Sequence, residues 1–113
     1  MKISGTIIEG NKQGREIGFP TANIKITKKI EPGIYKGYTK VDSREFLSAI
    51  YIGSRRPDIL ETHLIDFTGE DIYRKNIEVE IQEKIREDAV GISQEEIKEL
   101  IYSDILKIIS KNV

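Results

Sequence analysis

The sequence predicts a mainly β fold, a six-stranded antiparallel closed barrel followed by one carboxyl-terminal α-helix. Three observations carry that expectation. Short runs of alternating apolar and polar residues recur between polar, glycine- or proline-containing turns through the first ~88 residues. Five or six short strands closed by one terminal helix exclude a doubly wound α/β sheet, which needs helices between its strands, and the short turns imply antiparallel pairing. From Ser93 onward the apolar period lengthens from two residues to about 3.6. An antiparallel sheet of this size tends to close on itself and so remove its edges.

Each element has its own reason. Residues 2–8 carry Ile3, Ile7 and Ile8 and end at the turn signal Glu9-Gly10-Asn11. Residues 9–20 hold only Ile17 and Phe19 as large apolar residues and read as a loop. In 21–26, Ala22, Ile24 and Ile26 alternate with Thr21, Asn23 and Lys25, the pattern of a short strand with one polar face. After the Lys28-Lys29 and Glu31-Pro32-Gly33 loop, residues 34–41 and 45–52 form two strands. Asp42-Ser43-Arg44 joins them as a hairpin.

Residues 53–60, with Gly53, two arginines and Pro57, read as a second loop. Residues 61–67 read as a strand of mixed character on both faces, and Gly69-Glu70-Asp71 as a turn. Ile77, Val79 and Ile81 against Glu78, Glu80 and Gln82 give the clearest half-buried strand. Ser93 with Glu96 forms a capping box. Ile97, Leu100, Ile101, Ile105 and Ile108 then make one apolar stripe, so the spacing predicts a helix over 93–110.

A chain of 113 residues suits one domain spanning 1–113. With 18 basic and 19 acidic residues the net charge is −1, so nothing global draws it to nucleic acid or anionic membrane. Cysteine is absent, which excludes disulfides, thiolate metal sites and thiol nucleophiles. No run approaches the ~18 apolar residues of a membrane span, and no signal-peptide core precedes residue 20. A cytoplasmic protein is expected.

The stretch Gly14-Arg15-Glu16-Ile17-Gly18-Phe19-Pro20-Thr21-Ala22-Asn23-Ile24 concentrates the chemistry. Glycines let backbone N–H groups approach an anion, and a guanidinium is a planar multi-donor partner for phosphate. If residues 21–24 are extended, the Thr21 and Asn23 oxygens point to one side, beside any bound phosphate. Hard oxygens so placed suit Mg²⁺, which shares its ligation with a nucleotide. By composition alone such a segment is more often an ordinary surface loop, and no Gly-Lys-Ser/Thr closes it as in a P-loop.

The string Gly-Arg-x-Ile-Gly-Phe-Pro-Thr-Ala-Asn-Ile closely resembles the signature of the riboflavin kinases, including the kinase module of bifunctional bacterial enzymes that make FMN and FAD. The resemblance extends through Gly5, Gly10, Pro32-Gly33-Ile34-Tyr35, Ile52-Gly53 and Arg56-Pro57. It continues in Glu61-Thr62-His63-Leu64-Ile65-Asp66-Phe67-Thr68-Gly69 and reaches Arg86. It implies a small barrel and transfer of the γ-phosphate of ATP to the ribityl 5′-hydroxyl of riboflavin, with Mg²⁺ accompanying ATP and no tightly held prosthetic group.

The resemblance also implies site residues. Glu61 would be the catalytic base. Gly10, Lys12, Gly14, Arg15, Gly18, Phe19, Pro20 and Thr21 would bind the nucleotide, and Thr21 and Asn23 the metal. Leu64, Asp66, Tyr73 and Arg86 would contact the flavin. His63, the one histidine, is expected to make a structural hydrogen bond instead of acting as the base. The family's Lys-Phe pair after the last strand is missing here, where the chain reads Ile85-Arg86-Glu87-Asp88-Ala89-Val90-Gly91-Ile92-Ser93. Asp58 stands where the family has threonine. The departures fall on the flavin side of the site. An adenylyltransferase domain in a longer parent protein is the partner the resemblance allows, with riboflavin/FMN and ATP/ADP as ligands and no nucleic acid or membrane. A flavin- or nucleotide-binding barrel without catalysis is the alternative function. A nucleic-acid-binding barrel is disfavoured by the neutral charge and the lack of an aromatic stacking row.

Overall fold

A computed structural model of the chain describes residues 1–9, 21–67, 72 and 74–111. Among the described residues there are six strands, β1 (Lys2–Glu9), β2 (Thr21–Lys25), β3 (Gly33–Val41), β4 (Arg44–Gly53), β5 (Arg56–Leu64) and β6 (Asn76–Glu87). The helix α1 (Gln94–Lys111) follows β6. All neighbouring strands run antiparallel, and the sheet closes in the order β1-β2-β5-β4-β3-β6. The closed six-stranded barrel with its terminal helix is the architecture the residue pattern implies.

Alternation along each strand builds the interior. Ala22 and Ile24 of β2, Ile50 and Ile52 of β4, Leu60 and Leu64 of β5 and Val79 of β6 are all buried in one apolar core. The barrel also encloses three hydroxyls. Thr39, Ser48 and Thr62 are completely buried, with Thr39 Oγ1 2.8 Å from Thr62 Oγ1 and 2.9 Å from Ser48 Oγ. Each hydroxyl thereby finds a partner, which offsets the cost of drying it.

The β3–β4 hairpin turns on Asp42 and Ser43, both at positive φ (49° and 70°), the conformation required of a two-residue primed turn. Arg44 accordingly pairs with Val41 as the first rung of the ladder and does not belong to the turn.

The segment 53–60 differs from expectation. Ser54 and Arg55 alone form the turn, and β5 begins at Arg56. Pro57 is accommodated because the β4–β5 register shifts between Ile52 and Gly53, so no ladder bond is asked of its missing N–H. β5 then ends at Leu64, with Asp66 at φ 66° in the turn beyond it.

Helix α1 starts with the capping box. Glu96 N donates to Ser93 Oγ at 3.2 Å, and Ser93 N donates to Glu96 Oε1 at 3.2 Å. Its buried stripe, Ile101, Ile105 and Ile108, packs on the outside of the barrel against Ala49 and Ile65, with Leu47, Ile85 and Ile97 at the margin. Burial of each isoleucine contributes roughly 2 kcal/mol, more than the propensity of so β-branched a helix could supply. Among the described residues no helix is long and apolar enough to cross a membrane.

Candidate active site

The pairing registers of β2, β5 and β4 assemble the site. Asn23 of β2 lies opposite Glu61 of β5, and Glu61 lies opposite Tyr51 of β4. Because the flanking Ala22, Ile24, Leu60, Thr62, Ile50 and Ile52 all point into the barrel, alternation turns Asn23, Glu61 and Tyr51 outward. Residues directly opposite on one face sit about 5 Å apart between Cβ atoms, so the three form a contiguous row. One row further along the same face, Thr21 lies opposite His63, and His63 opposite Ala49.

A cleft of ≈ 70 Å³ opens over the first row, lined by Asn23, Tyr51, Gly53, Arg56, Ile59 and Glu61. Beside it a larger cavity of ≈ 180 Å³ lies between the β4–β5 turn and the segment after β6. Ser54, Arg55 and Arg56 form one wall, and Ala89, Val90, Gly91 and Ile92 the other. Tyr51 borders both spaces. Its hydroxyl donates to Asp88 Oδ1 at 2.7 Å, and the Ser54 N–H donates to Asp88 Oδ2 at 2.9 Å. One carboxylate thus ties the hairpin turn to the post-β6 segment.

The electrostatics follow from that contact. Burial first, then the hydrogen bond to Asp88 and its charge, push the Tyr51 phenol well above its ordinary value, with the Glu61 charge adding to the effect. Burial acts to raise the Asp88 carboxyl. The Ser54 N–H, the Tyr51 hydroxyl and the Arg86 charge outweigh it and hold Asp88 below its ordinary value.

Two side chains beside Glu61 are under-satisfied. Asn23 Oδ1 is buried with no hydrogen-bond partner among the described residues, and both ring nitrogens of His63 are in the same condition. His63 Nε2 approaches Glu61 Oε1 to 3.1 Å without the alignment of a hydrogen bond. Buried polar atoms without partners are rare. A buried amide oxygen lacking a donor, on the same face as Thr21 and next to a carboxylate, has the character of a hard-cation ligand. These residues therefore fit a magnesium ion shared with a nucleotide.

The other expected site residues are placed as follows. Gly10, Lys12, Gly14, Arg15, Gly18, Phe19, Pro20 and Tyr73, with the turn at 69–71, lie outside the described residues. Leu64 is fully buried in the barrel core, and Asp66 is exposed beyond the far end of β5. Neither lines the cleft or the larger cavity. Arg86 lines a small space of ≈ 20 Å³ between β6 and α1, where its guanidinium is held by the Asp104 carboxylate. Sequence reasoning missed Tyr51, Asp88 and Asp104 altogether. Tyr51 gave one usable signal, its position in phase with the outward residues of β4, but its neighbours are defined only by the cross-strand register.

Comparison with known proteins bears on this arrangement. A family model described as Flavokinase: Riboflavin kinase matches residues 1–111. The bifunctional riboflavin kinase/FMN adenylyltransferase of Haemophilus influenzae is 38% identical over 112 residues, covering 92% of this chain and 36% of that protein. The chain therefore spans about a third of the length of such relatives. Among solved structures, the riboflavin kinase from Trypanosoma brucei superimposes with a TM-score of 0.70 at 20% identity, over 97% of this chain and 78% of its own. A macrolide-efflux protein from Streptococcus pneumoniae gives a TM-score of 0.73 at 20% identity, over 91% of this chain and 34% of its own. At that identity the two structures speak to the fold alone.

Proposed function

The chain belongs to the riboflavin kinase family, and from that premise we propose that it is an ATP:riboflavin 5′-phosphotransferase, making FMN and ADP. The observation that carries the reading is the row Asn23–Glu61–Tyr51 under one cleft, with a buried amide oxygen in need of a partner beside a carboxylate. Phosphoryl transfer asks a protein mainly for positioning and charge stabilisation. Such a row on a closed sheet supports both.

Glu61 accepts the proton of the ribityl 5′-hydroxyl. The alcohol oxygen bonds to the γ-phosphorus, the bond to the bridging oxygen breaks, and its electron pair leaves with ADP. Asn23 and Thr21 would hold Mg²⁺. When bound with ATP that ion neutralises charge on the transferring phosphoryl group. The segment 10–20, by its family motif, takes the nucleotide phosphates. Arg56, on the wall shared by cleft and cavity, supplies a guanidinium to the phosphoryl oxygens.

The flavin ring goes to the apolar cavity at Ala89–Ile92, with its ribityl chain running past Tyr51 toward Glu61. The absence of the family's Lys-Phe pair falls on this wall, so ring contacts here come from Val90, Ile92 and the Tyr51–Asp88 bridge. Since relatives combine this domain with an FMN adenylyltransferase, a longer parent protein would pass FMN on to adenylylation.

The test is conversion of riboflavin to FMN by the purified chain with Mg²⁺ and ATP, run beside Glu61→Gln. FMN from the wild type and a fall of about a hundredfold or more in the variant support the reading. If neither protein makes FMN, the reading fails, and tight binding of FMN or ADP would then favour a non-catalytic binding module.

A further inference from the structure

His63 is the chain's one histidine, and the fold treats it unusually. It faces outward from β5 on the same side as Glu61, yet it is only 1% exposed. Neither ring nitrogen has a hydrogen-bond partner among the described residues. Leaving a buried polar group unpaired is destabilising. A position that carries such a cost is justified if the missing bond forms in the substrate complex.

The geometry identifies the partner. His63 Nε2 is 3.1 Å from Glu61 Oε1, close enough to bond and only misaligned. Hydrogen bonds of catalytic groups are commonly long or poorly aligned before substrate binds and tighten afterwards. The lining of the cleft separates the two roles: Glu61, Asn23 and Tyr51 border it, and His63 does not. His63 therefore reaches the carboxylate from behind the reacting face. Its flanking partners across the strands, Thr21 and Ala49, carry no charge.

We propose that His63 is a positioning residue for Glu61. Nε2–H donates to Oε1 in the substrate complex and fixes the carboxylate so that Oε2 takes the proton of the acceptor hydroxyl. His63 keeps its own proton throughout, and Nδ1 remains an acceptor. A carboxylate held at one oxygen has one rotational degree of freedom removed, and misplacing a catalytic group by about 1 Å can cost on the order of 100-fold in rate. This role rests on the kinase reading above.

The test compares wild type, His63→Gln and His63→Asn in kcat, in KM for riboflavin and ATP, and in melting temperature. The glutamine amide can occupy the Nε2 position. The asparagine amide is one methylene shorter and reaches only the Nδ1 position. Expected are a kcat within about threefold of wild type for Gln and a fall of about ten- to a hundredfold for Asn, with both KM values within about twofold.

An unchanged kcat in His63→Asn overturns the proposal, as does a Gln variant no better than Asn or a loss confined to KM. Should His63→Asn fail to fold, His63→Met fills the volume without a donor and is read the same way. A fall of more than about tenfold in His63→Gln is in any case fatal to it. A wild type that makes no FMN overturns the kinase reading itself, an outcome distinct from active variants that ignore position 63.

Discussion

The Arg86 guanidinium meets the Asp104 carboxylate side-on, Nε to Oδ1 at 3.0 Å and Nη2 to Oδ2 at 2.9 Å, joining the end of β6 to the middle of α1. A further bond, from Nη1 to the Glu87 carbonyl at 2.9 Å, holds the arginine against its own strand. Asp104 is almost wholly buried and Arg86 about one-fifth exposed. Removing one partner leaves the other charge stranded, so Asp104→Ala is expected to destabilise the fold by about 3 kcal/mol. Urea unfolding monitored by far-UV circular dichroism measures this. An unaltered midpoint would mean that the helix does not depend on the pair.

Gly37 sits at the bulge where the β3–β6 register shifts. A Cβ there would overlap the Glu80 carbonyl oxygen, far inside contact distance, and lie 2.7 Å from Ile50 Cδ1. Backbone oxygen cannot swing aside as a side chain can. Gly37→Ala is therefore expected to lose about 3 kcal/mol or more, whereas Gly91→Ala, with nothing within 4 Å of the added carbon, strains only its own φ of 75°. Comparable melting temperatures for the two variants would refute the distinction.

The Tyr51–Asp88 contact gives stability a dependence on pH at both extremes. Tyr51 titrates higher in the folded chain than in the unfolded, so its contribution is full below the ordinary value of 10.0 and is lost as pH rises beyond it. Asp88 titrates lower when folded. Its contribution is full above the ordinary 3.8 and is lost as pH falls through the folded value. Tyr51→Phe should flatten the alkaline limb and weaken the acid one. Identical pH–stability curves for variant and wild type would contradict the assignment.

Asn23 and Thr21 carry the proposed metal. Chelation with EDTA should stop FMN formation and excess Mg²⁺ restore it. Asn23→Ala should raise the Mg²⁺ concentration for half-maximal rate about tenfold or more. A variant whose Mg²⁺ dependence matches the wild type would remove Asn23 from the metal site.

Val90 is 66% exposed at the rim of the larger cavity. Val90→Asp should weaken riboflavin binding about tenfold through loss of apolar contact, leaving the KM for ATP and the melting temperature near wild type. Riboflavin fluorescence titration reads the first effect directly. An affinity matching that of wild type would place the ring elsewhere.

Most of the barrel was legible because its strands bury one face. Alternation in 21–26 put Thr21 and Asn23 on the outer side, and the capping box located α1 to within a residue. β5 was harder to read for two physical reasons. Its start carries Pro57 and Asp58, which a shifted register tolerates, and its interior Thr62 is polar yet satisfied by Thr39. Neither fact exists until distant strands meet. Tyr51, Asp88 and Asp104 stayed hidden for the same reason. Asp88 is 37 residues from the tyrosine that donates to it, and Asp104 is 18 from the arginine it holds. Glu83, Glu87 and Asp88, at the end of β6 and just beyond it, look alike as letters, and only packing separates the bridging Asp88 from its neighbours.

The row Asn23–Glu61–Tyr51 depends on three strands keeping step, which restricts how such a sequence can diverge. One residue inserted in β5 between Arg56 and Glu61 would send the carboxylate into the apolar interior and bring Leu60 out over the cleft. Length changes within β2, β4 or β5 are thus closed to drift. The side chains of Arg55 and of residues 89–92 lie outside the ladder and can change without disturbing it, provided Asp88 keeps its bonds to Tyr51 and Ser54. A barrel of this kind can therefore vary the lining of the larger cavity through those side chains while the spacing of the row Asn23–Glu61–Tyr51 remains the same.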